Sequence, residues 1–577
     1  MSMRYTILSL LLLLFSSLSA QRLLLEVKGV SGIDLDHPKY VNDSAEGEII
    51  ADQLITQLHS AAYLEAQIDS SYSNGGRFRI KIDQGKEYQW VKLKASNMDE
   101  FAINQVDLNG RLFMNRPFNP KQLNRLFERT VKFYEERGYP FARVKLDSIE
   151  ISDQREINAT LWVEKGKYYK IDSLKIEGNS RVNETFLKSY LNINIGGPYK
   201  ESVVSNIDNR MDEIPFLSEA KPKEVRFFEE GVSLVVYPKK KKASRFDGIL
   251  GLLTEEETGK IEFTGDVDLL LINSFNRGER IGFNWRKLKG NSTDLQLELG
   301  YPYIFQSQFG VDYNFKLFRR DTTFIDLQNR LALSYAKSAR NYFSLFYERK
   351  TSRLLSRNGL NSTNISSLGL GDVAINLFGV GYNLQKYNYI YNPRKGYGLN
   401  LDFGVGLKDL EKIKALEEDN PNLYDGVELS TTQYSGNLKV NYFIPIGGRS
   451  AIMIGNQSAI VYSENVYQNE LLRFGGLKLL RGFDEEALTG SAYSFMTVEY
   501  RFILDRNSYF ALFSDGGYYE SNTVSGYSND QPIGIGAGIN FETGAGIFSF
   551  NYAVGKQEDT SFDLRVAKIH FGFVNIF

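Results

Sequence analysis

Gln308-Phe309-Gly310-Val311-Asp312-Tyr313-Asn314-Phe315-Lys316-Leu317 carries an apolar side chain at every second position and a polar or small one between. Side chains along a strand point alternately to its two faces, so this segment has one apolar face and one polar face. Leu399 to Leu407 repeats the pattern: Leu399, Leu401, Phe403, Val405 and Leu407 alternate with Asn400, Asp402, Gly404 and Gly406. Arg280 to Leu288 and Leu438 to Ile444 read the same way. The period holds from about residue 245 onward, and about sixteen antiparallel strands fit into residues 243–577, the first near 246 and the last near 563. A strand that crosses a membrane needs about 9–11 residues. A soluble sandwich also alternates, but it rarely needs so many strands or ends on an aromatic one. A closed barrel with lipid outside and water inside explains both features.

Composition supports many strands with aromatic girdles and tight turns: 35 Tyr, 39 Phe and 50 Gly among 577 residues. The formal net charge of -2 gives no reason to expect nucleic acid as a partner. With no cysteine, disulfides, thiol catalysis and thiolate metal sites are excluded.

Residues 1–20 read as an export leader. Arg4 supplies the positive start, Ile7 to Phe15 the apolar core, and Ser16 to Ala20 the small-residue end. A cut after Ala20 is expected, with Ser19 as the alternative because Leu18 fits its position poorly. The apolar run falls short of the ~20 residues of a membrane helix. No other segment is a candidate helical span, so crossing requires a closed barrel, in which no strand edge faces lipid.

Between leader and barrel, a pattern of strand, two helices and two strands recurs three times, over 21–87, 88–167 and 168–242, the last including a linker. The second repeat is clearest. Trp90 to Ala95 is strand-like, Asn119 caps a helix with Pro120 at its first position, and Leu123, Leu126, Phe127, Thr130, Val131 and Tyr134 follow at helical spacing. Gly138 and Pro140 end that helix before strands at Ala142 to Asp147 and Ile157 to Glu164. The first repeat is less regular, with a helix carrying Ile49, Ile50, Leu54 and Leu58. Lys239 to Lys242 reads as a solvated linker, with contact to anionic headgroups as the alternative.

Phe474-Gly475-Gly476 and Leu480-Arg481-Gly482-Phe483 stand in the connection between the eleventh and twelfth strands, about Tyr462 to Gly490. If the first strand rises from the periplasm, this is the sixth external loop. The motif resembles the signature loop of the outer-membrane assembly superfamily, which includes BamA-type and TamA-type insertases and two-partner secretion transporters. Other residues carry the same resemblance. Tyr134-Glu135-Glu136-Arg137-Gly138-Tyr139 is similar to a POTRA helix-to-strand junction, and Phe513-Ser514-Asp515-Gly516-Gly517 to the family's aromatic-x-Asp-x-Gly strand. Asn392-Pro393-Arg394-Lys395-Gly396 is similar to its Pro-x-x-Gly turn. Phe571, Phe573 and Phe577 are similar to the terminal β-signal read during barrel assembly.

The resemblance implies an outer-membrane protein with periplasmic α+β POTRA repeats followed by an all-β transmembrane barrel. It implies a loop folded into the lumen, Arg481 at its tip, Gly482 permitting the tip and Phe483 wedged against the wall. Gly475 and Gly476 would let the loop backbone approach the wall. A guanidinium in a lumen needs an acidic or carbonyl partner. Glu499 and Asp515 are the candidates: Glu499 shares the polar face with Thr497 and Arg501, whereas strict alternation puts Asp515 on the face of Phe513. Leu410 to Asn420, in the fifth external loop, reads as a solvated surface helix.

Implied partners are unfolded outer-membrane proteins or a secreted client, outer-membrane lipid, and accessory subunits in periplasm or membrane. Three repeats tilt toward a TamA-like insertase. Two-partner secretion transporters usually have two repeats and a plug helix. A passive pore would have no use for repeats or a lumenal Arg-Gly-Phe loop. No enzyme, cofactor or metal is expected. His37, His59 and His570 are scattered without ligand spacing, and no G-x-S-x-G, P-loop or H-E-x-x-H motif occurs.

Overall fold

The computed structural model describes residues 22–108, 113–254, 261–287, 292–338, 340–355, 369–419, 421–558, 560 and 562–576. The expected leader and Phe577 lie outside the described residues. The chain divides into two compact units. One holds the described residues up to Ser173 with 194–205 and 227–233; the other holds 174–193, 206–226 and the described residues from Leu234.

The first unit contains two mixed four-stranded sheets. In the first, Leu23–Lys28 runs parallel to Arg77–Asp83, which pairs with Gln67–Asn74 across the Gly75-Gly76 turn. A helix, Ser44–Ser60, buries Ile50, Leu54 and Leu58 against Phe78 and Ile80. Asp43 caps it by accepting from the Glu46 amide at 2.8 Å. This repeat has one helix where two were expected. The stretch before it holds Gly29, Gly32 and Pro38, which break helical periodicity, and Tyr40–Val41 forms a short strand instead. The second sheet is built from Gln89–Ala95, Arg116–Pro117, Arg143–Ile151 and Glu156–Glu164, with helices Glu100–Gln105 and Pro120–Glu135. Trp90 packs among Leu126 and Leu161. The Asn119 side chain caps the longer helix through the Gln122 amide at 3.1 Å.

The third repeat has strands Ile171–Ile176, Glu224–Phe227 and Val232–Val236 and helices Glu184–Leu191, Glu201–Ser205 and Ile207–Glu213. The expected lysine linker is partly a strand: Pro238–Lys240 pairs antiparallel with Leu217–Glu219, while its lysines stay exposed. Pairing fixes the backbone and leaves the ammonium groups in water.

The barrel is a closed antiparallel sheet. Its strands are β1 Arg245–Thr254, β2 Ile261–Ile272, β3 Arg280–Lys287, β4 Thr293–Tyr301, β5 Phe309–Arg320 and β6 Phe324–Ser338. Next come β7 Asn341–Leu354, β8 Asp372–Tyr387, β9 Gly396–Glu411, β10 Ser430–Ile446 and β11 Ser450–Ser463. After a long connection follow β12 Ala492–Ile503 and β13 Tyr509–Thr523. β14 is made of Gly526–Asp530 and Ile533–Thr543, both paired with β13 and interrupted at Pro532, which has no amide hydrogen for the ladder. β15 Gly546–Lys556 and β16 Lys568–Ile576 complete the sixteen. Outward positions such as Leu345, Phe378, Leu407, Met496 and Leu512 are apolar and exposed, as a lipid-facing belt requires.

Closure is uneven. β1 and β2 share ten residue pairs, from Arg245↔Leu270 to Thr254↔Ile261. Among the described residues β1 and β16 share two, Arg245↔Ile576 and Phe246↔Asn575.

Candidate functional site

The connection between β11 and β12 folds back into the barrel as a hairpin. Leu472–Phe474 pairs with Leu488–Gly490, and Gly476 bridges Leu480 at the turn. Its tip presents Arg481, which is buried.

Arg481 meets both candidate acids. Nε donates to Asp515 Oδ2 at 2.7 Å, Nη2 to Asp515 Oδ1 at 2.8 Å, and Nη1 to Glu499 Oε2 at 2.6 Å. Its peptide N–H donates to Asp515 Oδ2 at 3.0 Å. The guanidinium carbon lies 3.4 Å from the Phe513 ring centroid, so planar bonding and ring stacking act together. β12 supplies Glu499, and Arg501 on the same face donates to Glu499 Oε1 at 2.7 Å. Two guanidiniums therefore face two carboxylates. Such balance matters because an unpaired buried charge is costly.

Phe513 and Asp515 both face inward. The Arg481 loop packs on the wall here, so an aromatic wall residue is as well placed as an acid. The wall is also made close enough to touch. A Cβ on Gly534 of β14 would stand 1.9 Å from the Arg481 carbonyl oxygen, and one on Gly555 of β15 2.6 Å from that of Gly482. Gly482 has φ +96°, a conformation other residues rarely adopt. Phe483 lies beside the Gly555 backbone and borders the cluster of Phe474, Leu480 and Phe495.

Gly475 and Gly476 differ from expectation. The atoms a Cβ would meet belong to the loop itself, the Asp484 carbonyl oxygen and the Glu485 carboxylate. These glycines close the hairpin instead of meeting the wall.

Further anchors had no local signature in the sequence. Arg473 donates to Asp326 of β6 at 3.2 Å and stacks 3.5 Å over Phe318 of β5. Glu486 accepts from Arg286 of β3 at 2.6 Å, and Arg286 also bonds Asp294 of β4 at 2.7 Å. Glu470 pairs with the buried Lys408 of β9, and Asn469 donates to Ser352 of β7 at 2.7 Å. Arg473 precedes Phe474-Gly475-Gly476, the one hint that it belonged with the motif.

The fifth external loop is not simply a solvated helix. Lys414–Asp419 is helical, but Leu410, Ile413, Leu423 and Tyr424 are buried with Val373, Ile375 and Tyr467. At the other end of the chain, Phe571 is exposed on the outward face and Phe573 packs on Phe548 at 4.7 Å between centroids. Asn392-Pro393 forms the turn from β8 to β9, where Asn392 and Pro393 accept from Arg501 at 3.4 and 3.5 Å. Among the described residues no group of three or more His, Asp or Glu could hold a metal ion.

A sixteen-stranded barrel with an arginine-tipped loop held to its inner wall, preceded by α+β repeats, defines a class of outer-membrane protein with periplasmic POTRA domains. Residues 273–577 match the Omp85 superfamily domain, and the chain belongs to that superfamily. It is similar to the outer membrane protein assembly factor BamA of Buchnera aphidicola subsp. Acyrthosiphon pisum (strain APS), with 25% identity over 159 residues, 26% of this chain and 25% of that protein. The chain thus matches about a quarter of that curated relative's length. Among solved structures, CdiB from Acinetobacter baumannii aligns with a TM-score of 0.56 and 11% identity, covering 92% of this chain and 98% of that one. CdiB from Escherichia coli aligns with a TM-score of 0.56 and 14% identity, covering 95% and 100%. At such identities the likeness speaks for the fold.

Proposed function

We propose that this protein inserts other β-barrel proteins into the outer membrane, in the manner of BamA- and TamA-type members of its superfamily. The observation that carries this reading is the seam. Two residue pairs join β1 to β16, so most of the β1 edge has no registered partner there among the described residues. An unpaired edge recruits strands, and in lipid every backbone group must find a partner. A client strand that pairs with β1 satisfies both edges at once. Folding of the client supplies the free energy through its own strand pairing and apolar burial, with no nucleotide.

The pinned loop gives the seam a rigid frame. Arg481, Arg473, Glu486 and Glu470 tie one loop to strands spread around the wall, so it holds the rest of the barrel while the seam opens. The same loop folds into the lumen and is held to its wall, which argues against a passive pore. The repeats deliver extended clients by strand addition at their sheet edges.

Quantitative outer-membrane proteomics after depletion of the protein tests this. Broad loss of unrelated barrel proteins is expected. Loss of one secreted or surface protein with the barrels intact would replace insertion by dedicated export.

A further inference from the structure

The turn joining β2 to β3, residues 273–279, borders a groove on the outside of the barrel. The groove, of about 540 Å³, is lined by Phe275, Arg277, Leu299, Tyr301, Val311 and Tyr313, among others. Its size lies within the roughly 300–1,000 Å³ of ordinary ligand sites. Leu299 pairs with Tyr313 and Tyr301 with Val311, so these side chains share one face of β4 and β5. The intervening Glu298, Gly300 and Asp312 form the opposite face, where Arg280 lies near Glu298 and Asp312 at 3.8 and 3.5 Å. The groove therefore opens on the lipid side.

Its rim carries an exposed aromatic ring and a cation. Phe275 is 69% exposed. Arg277 is exposed, and its Nη1 donates to the Tyr301 hydroxyl at 3.3 Å. Among the described residues no carboxylate pairs with it. Glu279, the nearest acid in sequence, is buried and committed to the turn, accepting from the Phe275 and Arg277 amides. The Asn273 side chain accepts from the Gly278 amide at 2.8 Å, so the loop that presents Arg277 is fixed beforehand. The turn also accepts, through the Asn276 carbonyl, from the Asn183 amide of the third repeat at 2.9 Å. That repeat is periplasmic, which sets the groove at the periplasmic rim.

We propose that this groove binds a phospholipid of the periplasmic leaflet, its phosphate on Arg277 and one acyl chain along Leu299, Val311 and Tyr313. Continuity with the lipid-facing belt brings an acyl chain to the groove. A guanidinium with free donors at the rim matches a phosphodiester by charge and by forked geometry, and exposed aromatics at a membrane boundary favour the interfacial region.

The full chain in maltoside micelles, free of phosphate, is offered phosphatidylglycerol with a photoactivatable acyl chain, and the labelled peptides are mapped. Diacylglycerol with the same chain is the control. Labelling by phosphatidylglycerol should concentrate on the peptides of Leu299–Tyr301 and Val311–Tyr313, with diacylglycerol spread around the belt. Arg277→Gln should lower that labelling roughly tenfold, the weight of one charge-assisted hydrogen bond, and Val311→Phe, which fills the groove, should lower it as well. Arg277 is exposed and Val311 half-buried, and heat-modifiable mobility on gels reports whether the barrel has folded. Even labelling by both lipids, or Arg277→Gln matching the natural chain, would overturn the proposal.

Discussion

Arg481 donates three hydrogen bonds to Asp515, one from its peptide nitrogen and two from its guanidinium. One carboxylate thereby fixes both the course of the loop and the rotamer of its tip. Lysine has no planar fork, so it cannot hold Asp515 through two parallel bonds while bonding Glu499. Arg481→Lys should lower client insertion, and Arg481→Ala should lower it further because two buried carboxylates then face one guanidinium, Arg501. Removing one partner of a buried pair costs about 3–5 kcal/mol. The readout is the appearance of newly made barrel proteins in the outer membrane of a depletion strain, with protease cleavage of the loop measured beside it. Full activity and an uncut loop in Arg481→Ala would remove the pinned loop from the mechanism.

Gly534 offers a way to disturb the same contact from the wall. A methyl there would stand 1.9 Å from the Arg481 carbonyl oxygen, backbone against backbone, with no flexible side chain to yield. Gly534→Ala should push the tip off β14 and reproduce the Arg481→Ala phenotype while leaving every charge in place. Gly448, where a methyl would meet nothing within 4 Å, is the control site. If Gly534→Ala inserts clients at the natural rate, closeness of loop and wall is not what the function needs.

Phe246 and Asn575 are partners across the seam, and the chain has no cysteine of its own. Directly opposed residues of antiparallel strands stand about 4.5–5.5 Å apart at Cα, within disulfide reach. The double variant Phe246→Cys with Asn575→Cys should form a disulfide under oxidising conditions and stop client insertion, with recovery on reduction. Unchanged insertion by the fully crosslinked protein would mean that clients do not pass through this seam.

Much of this was legible in the residues because lipid and water impose a period of two. Leu399 to Leu407 and Met496 to Phe502 follow it without exception, and the count of sixteen strands placed the Arg481 loop between β11 and β12. Legibility ends where the lumen stops being water. Alternation puts Phe513 and Asp515 on one face, but it cannot say that an aromatic residue belongs on the inward one, which here meets the Arg481 loop. Arg473 and Glu486 find partners 147 and 200 residues away, and Glu470 meets Lys408, 62 residues earlier. In sequence they look like solvated charges. Leu410, Ile413 and Tyr424 are buried by other loops at the barrel mouth, a packing that leaves no local period.

Asp208 and Glu219 in the third repeat set a pH dependence outside the membrane. Burial raises Asp208, but the Lys223 ammonium, 2.8 Å away, outweighs it and holds the carboxyl below its ordinary value. Burial, and then the negative charge of Asp208, push Glu219 up from 4.5 to about 7. A carboxyl raised by folding binds its proton more tightly in the folded chain. Its contribution is fully present below 4.5 and is lost as pH rises through about 7. Asp208 acts in the opposite sense and in a lower range, losing its contribution only as pH falls below its ordinary value of 3.8. Between about pH 4.5 and 7 the slope therefore belongs to Glu219. Amide-exchange protection of Ile207–Glu213 and Leu217–Glu219, corrected for intrinsic rates, should fall across that window. Glu219→Gln, neutral throughout, should flatten the fall and keep the protection at the higher pH. A slope that survives Glu219→Gln would assign the titration to another group.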